Sequence, residues 1–156
     1  MYLPEPPSAY VQCAPKPLRS VVYGIAMTET GGTGDPLQLV DTSTLKVYRP
    51  QNPGAALALI HALEKQMGHN VAIGAFGLKS SNFKGWKITD LDALNACWAA
   101  TFAAGLLKKN EGWAWGAGHR NHPQKWALAA YTVGRLTLKS GGLQYANAVV
   151  FYSQKF

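Results

Sequence analysis

Charge is scarce in this chain: Asp, Glu, Lys and Arg make up 15% of its 156 residues, against 47% hydrophobic ones. A chain that stays unfolded has the opposite balance, so a packed core is expected. Long apolar runs are absent too. None approaches the ~20 residues that a helix needs to cross a bilayer, so no membrane span is expected. Cysteine occurs only as Cys13 and Cys97. Without ligand-type spacing the two make a poor zinc site, and neither metal nor cofactor is expected. There is no arginine-rich arm and no basic helix. The net charge of +7 is scattered along the chain. It favours polyanions in general, such as nucleic acid, acidic lipid or cell-wall polymer. With no reading helix and no aromatic platform, nucleic acid is not expected as the partner.

The length suits one core and one domain, and no internal repeat is visible. Met1 to Pro17 holds five prolines and no apolar h-region, so it does not read as a signal peptide. Either the protein is cytosolic or a signal has been removed. Residues 1–17 read as an irregular, proline-stiffened lead-in that Cys13 can tie down, and 18–156 as the domain. Leu18, Val22, Ile25 and Glu29 fall on one helical stripe, stopped by Gly31 and Gly32. Residues 33–50 read as loop and short extended pieces, with Leu37, Leu39, Leu45 and Val47 alternating and a turn at 41–44. Asn52-Pro53 starts a helix whose apolar face runs to Met67. Residues 70–88 read as loop-rich. A helical segment from Thr89 to Asn110 breaks near Asn95, and 111–122 read as a Gly- and Trp-rich loop. Helices at 123–131 and 143–152 complete a mainly α chain with a small β-hairpin region, an α+β fold in a single domain.

Glu29 is the residue with chemistry to offer. It closes an apolar stripe in the last turn of its helix. Burial disfavours its ionised form, and the partial negative charge of a helix C-terminus acts in the same direction. Both keep a carboxyl protonated near neutrality, as a general acid requires. From helix position alone, an exposed glutamate at the start of a loop is the simpler reading.

The surrounding motifs supply a resemblance. Val22-Tyr-Gly-Ile-Ala-Met-Thr-Glu29-Thr-Gly-Gly32 resembles the catalytic helix of goose-lysozyme-like lytic transglycosylases, an apolar helix ending in Glu-Ser. Gly68-His-Asn70, then Ile73-Gly74-Ala-Phe-Gly-Leu78 and Ser80-Ser-Asn-Phe83, are similar to G-H-N, then D-V-G-L-M-Q-I-N-S-R-N-F. That version is typical of members attached to type IV secretion and conjugation machines. Leu94-Asn-Ala-Cys97 with its Ala-rich helix is similar to their D-P-C helix. Ala129-Ala-Tyr131-Thr-Val-Gly134 resembles A-x-Y-N-x-G, and Tyr145-Ala-Asn-Ala-Val149 resembles the terminal Y-x-x-x-V. The five pieces keep the family's order.

The resemblance implies a lysozyme-like fold and a peptidoglycan lytic transglycosylase. Such an enzyme cleaves the β-1,4 bond between N-acetylmuramic acid and N-acetylglucosamine and leaves 1,6-anhydro ends. Glu29 would be the single acid and base. Tyr131 would face it, or be a core aromatic. Thr30, Phe76, Gly77, Ser80, Asn82 and Thr132 would lie at the sugar groove, while Tyr145 would close the groove or, the preferred reading, pack in the core. The resemblance also implies a Cys13–Cys97 disulfide and a periplasmic protein whose signal peptide has been removed. It would open the wall locally for a secretion, conjugation or pilus apparatus, with glycan strands and components of that apparatus as partners. Three positions depart from the family: Gly77 where it has glutamine, Thr132 where it has asparagine, and Thr30 where it has serine. Asp35 and Asp41 are the only acids in the 34 residues after Glu29. Asp35 is kept as a second carboxylate, which would make the protein a lysozyme-type hydrolase. A catalytically weak or inactive peptidoglycan-binding module is the other alternative. Trp113, Trp115 and Trp126 are sugar-stacking or core residues. His119 and His122, lacking a third ligand, are set aside as a metal site.

Overall fold

The chain is described over residues 1–156 by a computed structural model. The first helix, α1 (Pro7–Tyr10), begins on Pro7, whose fixed φ suits a first turn and whose missing N–H has no helical partner to lose. A 3-10 turn, Val11–Cys13, follows. The lead-in is therefore not irregular, which corrects the expectation. Its prolines start helical turns, and Tyr10, Val11 and Ala14 are buried in the core. The Tyr10 hydroxyl donates to the Gly34 carbonyl at 2.9 Å and fastens the segment to the body.

Helix α2 (Arg19–Glu29) buries Val22 and Ile25 as its stripe requires. It ends where the Gly32 N–H donates back to the Met27 carbonyl at 2.8 Å. Strands β1 (Leu39–Asp41) and β2 (Val47–Tyr48) then pair antiparallel, Leu39 opposite Tyr48. The Asp41 carboxylate holds their turn by accepting from the Ser43 N–H at 2.9 Å. Asn52 caps α3 (Pro53–His61), its side chain accepting from the Ala55 N–H at 2.8 Å, and a π turn carries the chain to Gln66.

The stretch expected as loop contains β3 (Val71–Ile73) and β4 (Leu78–Lys79). The expected hairpin is thus part of a four-stranded antiparallel sheet, ordered β2-β1-β3-β4. These strands escape sequence patterning for a physical reason. All three residues of β3 are buried, so no polar alternation marks it. After them come α4 (Phe83–Trp86) and α5 (Asp90–Leu94), the latter opened by a capping box between Thr89 and Asp92. Asn95 breaks the run and caps α6 (Ala96–Gly116), accepting from the Trp98 N–H at 3.1 Å. Helix α6 overruns the expected loop by two turns. Gly112 costs it about 1 kcal/mol, but Ala114 is fully buried and packing outweighs that cost. Helices α7 (Pro123–Val133) and α8 (Gly142–Ser153) complete an α+β fold.

One cluster of buried side chains joins the lead-in, the sheet and the helices. No helix is long and apolar enough to cross a membrane. Two features set the site. Gly24 lets α8 press onto α2, because any Cβ there would overlap the Val149 carbonyl. Tyr23 meets Phe156 and Glu29 meets Tyr145, so the two helices run antiparallel. The other feature is the Cys13–Cys97 disulfide, with its Cα atoms 5.3 Å apart and 84 residues of separation. It ties the lead-in to α6. A bridge closing so long a loop stabilises by about 4 kcal/mol in the chain-entropy model. Cys13→Ser with Cys97→Ser is expected to lower the unfolding free energy by about that amount, measured by extrapolating denaturant curves to water, with a steeper slope because the unbridged unfolded chain exposes more surface.

Candidate active site

Glu29 sits at the C-terminal end of α2, where the helix meets the turn between β3 and β4. Its carboxyl lines an open cleft of about 530 Å³. Walls come from β4 (Lys79), the end of α7 (Tyr131, Thr132) and one face of α6 (Leu106, Lys109, Asn110, Trp113). Glu29 is the only acid lining it. Burial pushes the carboxyl up to about 7. Two opposing influences are smaller, a hydrogen bond from Tyr145 and the nearby ammonium of Lys79. Desolvation wins because the carboxylate exchanges water for apolar walls. With a value of about 7 the carboxyl keeps its proton in a large share of molecules near neutral pH, on a group that lines the open cleft.

The Tyr145 hydroxyl donates to Glu29 Oε1 at 2.8 Å. Tyr131 instead donates to the Phe76 carbonyl at 2.9 Å, and its ring lies parallel to that of Tyr145, centroids 6.2 Å apart. The hydroxyl expected from Tyr131 comes instead from Tyr145, which orients the acid, while Tyr131 lines the cleft and fastens the β3–β4 turn. Burial, then the Glu29 charge, raises both phenols well above their usual range, so both remain donors. Tyr145→Phe is expected to remove the one side-chain hydrogen bond that favours the carboxylate. The acid's pKa then rises further, and the alkaline limb of the pH–rate profile moves upward while turnover falls about tenfold.

Gly77 lies directly under the carboxyl. Its φ is +59°, and any Cβ would overlap Glu29 Oε2. Asn82 and Thr132 line the same cleft. Three other expectations are corrected. Phe76 has no exposed surface and packs edge-on against Tyr10, so only its carbonyl serves the site. Thr30 is 1% exposed. Its hydroxyl donates to the Ala26 carbonyl at 2.7 Å and accepts from the Gly34 N–H at 2.6 Å, so it shapes the chain after α2 rather than touching a ligand. Ser80 turns inward, donating to Asn70 Oδ1 and accepting from the Val71 N–H, both at 3.1 Å, and its neighbour Ser81 lines the cleft instead.

Asp35 is also displaced from its expected place. It lines a separate cleft formed with the lead-in, among Tyr2, Pro4 and Arg49. Asp41 is buried in its turn and pairs with His69 at 2.7 Å. Of the tryptophans, Trp113 lines the cleft, Trp115 lies exposed beneath Arg120, and Trp126 stacks on His119.

Sequence reasoning did not find Gln38, Arg49, Lys79 or Trp86. Gln38 Nε2 donates to the Glu29 carbonyl at 2.9 Å, and Arg49 donates to Gln38 Oε1 at 3.0 Å and to the Thr30 carbonyl at 3.3 Å. Together they satisfy carbonyls left free at the end of α2. Lys79 donates to the Thr132 carbonyl at 3.2 Å and so bridges β4 and α7. The sequence signal available for Lys79 is its place between Leu78 and Ser80, inside the resembling motif.

Fold and site define a class: a small α+β protein with one protonatable glutamate at the floor of an open cleft and a tyrosine holding it. No family model, curated protein or solved structure matches the chain. The chemistry of the site therefore carries the functional conclusion, since a fold by itself does not determine activity.

Proposed function

We propose that this protein is a peptidoglycan lytic transglycosylase with a lysozyme-like fold, and that Glu29 is its acid and base. The observation that carries the reading is a lone carboxyl, protonated up to about pH 7, lining an open cleft of about 530 Å³. Hydrolysing glycosidases pair two carboxylates across the bond. Here the second carboxylate is missing from the cleft, and Asp35 belongs to another one. A one-acid scheme fits that arrangement.

In this scheme Glu29 donates its proton to the glycosidic oxygen as the bond from C1 of the muramoyl unit breaks. The acetamido group of the same sugar stabilises the positive charge that develops at C1. The carboxylate left behind then takes the proton of the 6-hydroxyl, whose oxygen closes on C1 to form the 1,6-anhydro ring. Glu29 ends protonated, and no water is consumed. Tyr145 keeps its hydrogen bond to Oε1 throughout, which aims the other oxygen at the substrate. The disulfide supports an oxidising compartment, which agrees with a periplasmic site of action. Local opening of the wall for a secretion, conjugation or pilus apparatus is the biological role proposed.

A second reading, a peptidoglycan-binding module without turnover, draws on Gly77, which brings no hydrogen-bonding side chain beside Glu29. Digestion of purified peptidoglycan, followed by mass spectrometry of the fragments, separates the readings. The transglycosylase predicts anhydro-muramoyl ends that vanish with Glu29→Gln. Reducing ends would identify a hydrolase. Equal sedimentation of wild type and Glu29→Gln with the wall, with no fragments from either, would identify the binding module.

A further inference from the structure

The cleft is charged in one direction. Apart from Glu29, whose ionisation burial opposes, its ionisable walls are the two lysines Lys79 and Lys109 and the phenol of Tyr131. Lys79 is committed to the Thr132 carbonyl close to the acid. Lys109 makes no hydrogen bond or ion pair and lies exposed on α6. Trp113 stands four residues on, on the same helical face, with 49% of its surface exposed. Leu106 and Asn110 occupy that face too, and all four line the cleft. An exposed indole beside a free ammonium offers a sugar ring a stacking face and an acidic substituent a counter-charge in one place. A neutral glycan would use only half of this surface.

We propose that Lys109 and Trp113 form a subsite for a sugar bearing a carboxylate substituent, so that the cleft selects acidic glycan strands over neutral ones with the same β-1,4 backbone. The inference rests on the transglycosylase reading and assigns the residues that recognise the acidic group of its substrate. In peptidoglycan the carboxylate has two sources, the lactyl group of a peptide-free muramoyl unit or the stem peptide. The rest of the surface assists, because a net charge of +7 raises the local concentration of any acidic strand.

Binding is measured by calorimetry with full-length Glu29→Gln protein, so that no strand is cut. Three probes are compared: an N-acetylglucosamine pentamer, peptide-free glycan strands, and strands carrying stem peptides. The expected result is about tenfold tighter binding of at least one acidic probe than of the neutral pentamer. The acidic probe that gains identifies the source of the carboxylate. The preference should shrink as salt rises. Lys109→Gln, added to Glu29→Gln, should bring the acidic strands down to the affinity of the pentamer. Lys108→Gln, a neighbour of equal charge outside the cleft, should leave the preference intact. Equal affinity for all three probes, or a preference that survives Lys109→Gln, overturns the subsite. If wild type still releases anhydro fragments from the wall, the transglycosylase reading outlives that result. Binding to no probe, with no fragments released, overturns both.

Discussion

Glu29→Gln is expected to reduce peptidoglycan cleavage by ~10²–10⁴-fold, the usual contribution of a positioned general acid, and to make the folded chain more stable at alkaline pH. The first effect follows from chemistry, since an amide has no proton to give the glycosidic oxygen. The second follows from burial. In the folded chain the carboxyl titrates near 7, whereas its ordinary value is 4.5. Between those two values the folded state holds a proton that the unfolded state has released. Stability therefore falls as pH rises from about 4.5 to 7 and stays low above that. The loss is on the order of 1–3 kcal/mol once water in the open cleft is allowed for. Glutamine is neutral at every pH and still accepts from Tyr145, so the variant should lack this slope. Melting curves at pH 5 and pH 8 check it: the variant should gain over wild type mainly at pH 8. Wild-type turnover should follow the same titration, falling about tenfold per pH unit above 7. A gain in melting temperature that is the same at both pH values would mean that the carboxyl is not buried as described.

Gly77→Gln should abolish turnover to the level of Glu29→Gln, although it installs the residue that the resembling family carries. Taken alone, the family pattern suggests the opposite, a restored groove contact. The geometry decides against it. At a φ of +59° any side chain is strained, by roughly 1–2 kcal/mol. A Cβ would also overlap the Glu29 carboxyl, whose neighbours Tyr145 and Gln38 hold the acid and its backbone from the other side. Either the acid is pushed off its tyrosine or the β3–β4 turn moves, and overpacking of this kind costs about 1–3 kcal/mol more. Gly77→Ala separates the causes, because it adds the Cβ without the amide. It should lose most of the activity while retaining the cooperative unfolding of the wild type. An active Gly77→Gln protein with wild-type stability would show that the turn is free to adjust and that its contact with Glu29 is incidental.

The two variants also show how differently parts of the site could be read in advance. Glu29 is legible chiefly through the resemblance of its helix to a catalytic one, because the apolar stripe and the two glycines after it also fit an exposed glutamate at a loop start. Tyr145 is not, because the bond it makes spans 116 residues and a tyrosine on an apolar helix face looks like packing. The resembling motif points to Tyr131 instead, yet its hydroxyl is taken by a backbone carbonyl. Phe76 and Thr30 were placed at the groove by their position beside functional motifs. Position along the chain does not say which way a side chain points, and both point inward.

Among the elements, the helix start at Asn52 and the break at Asn95 fall where the sequence puts them. Strands β3 and β4 escape sequence patterning because one is buried throughout and the other is only two residues long, and the sheet exists only once β1 is alongside. Local signals thus determined one core, an α+β class, most helix positions and a glutamate on an apolar stripe, since each depends on neighbours within one or two turns. The tertiary structure alone decided which tyrosine holds that glutamate, which glycine lies beneath it, and that the cleft contains no second acid. It also decided that the carboxyl keeps its proton to about pH 7. Desolvation depends on everything packed around a group, and those surroundings are assembled from segments far apart in the chain.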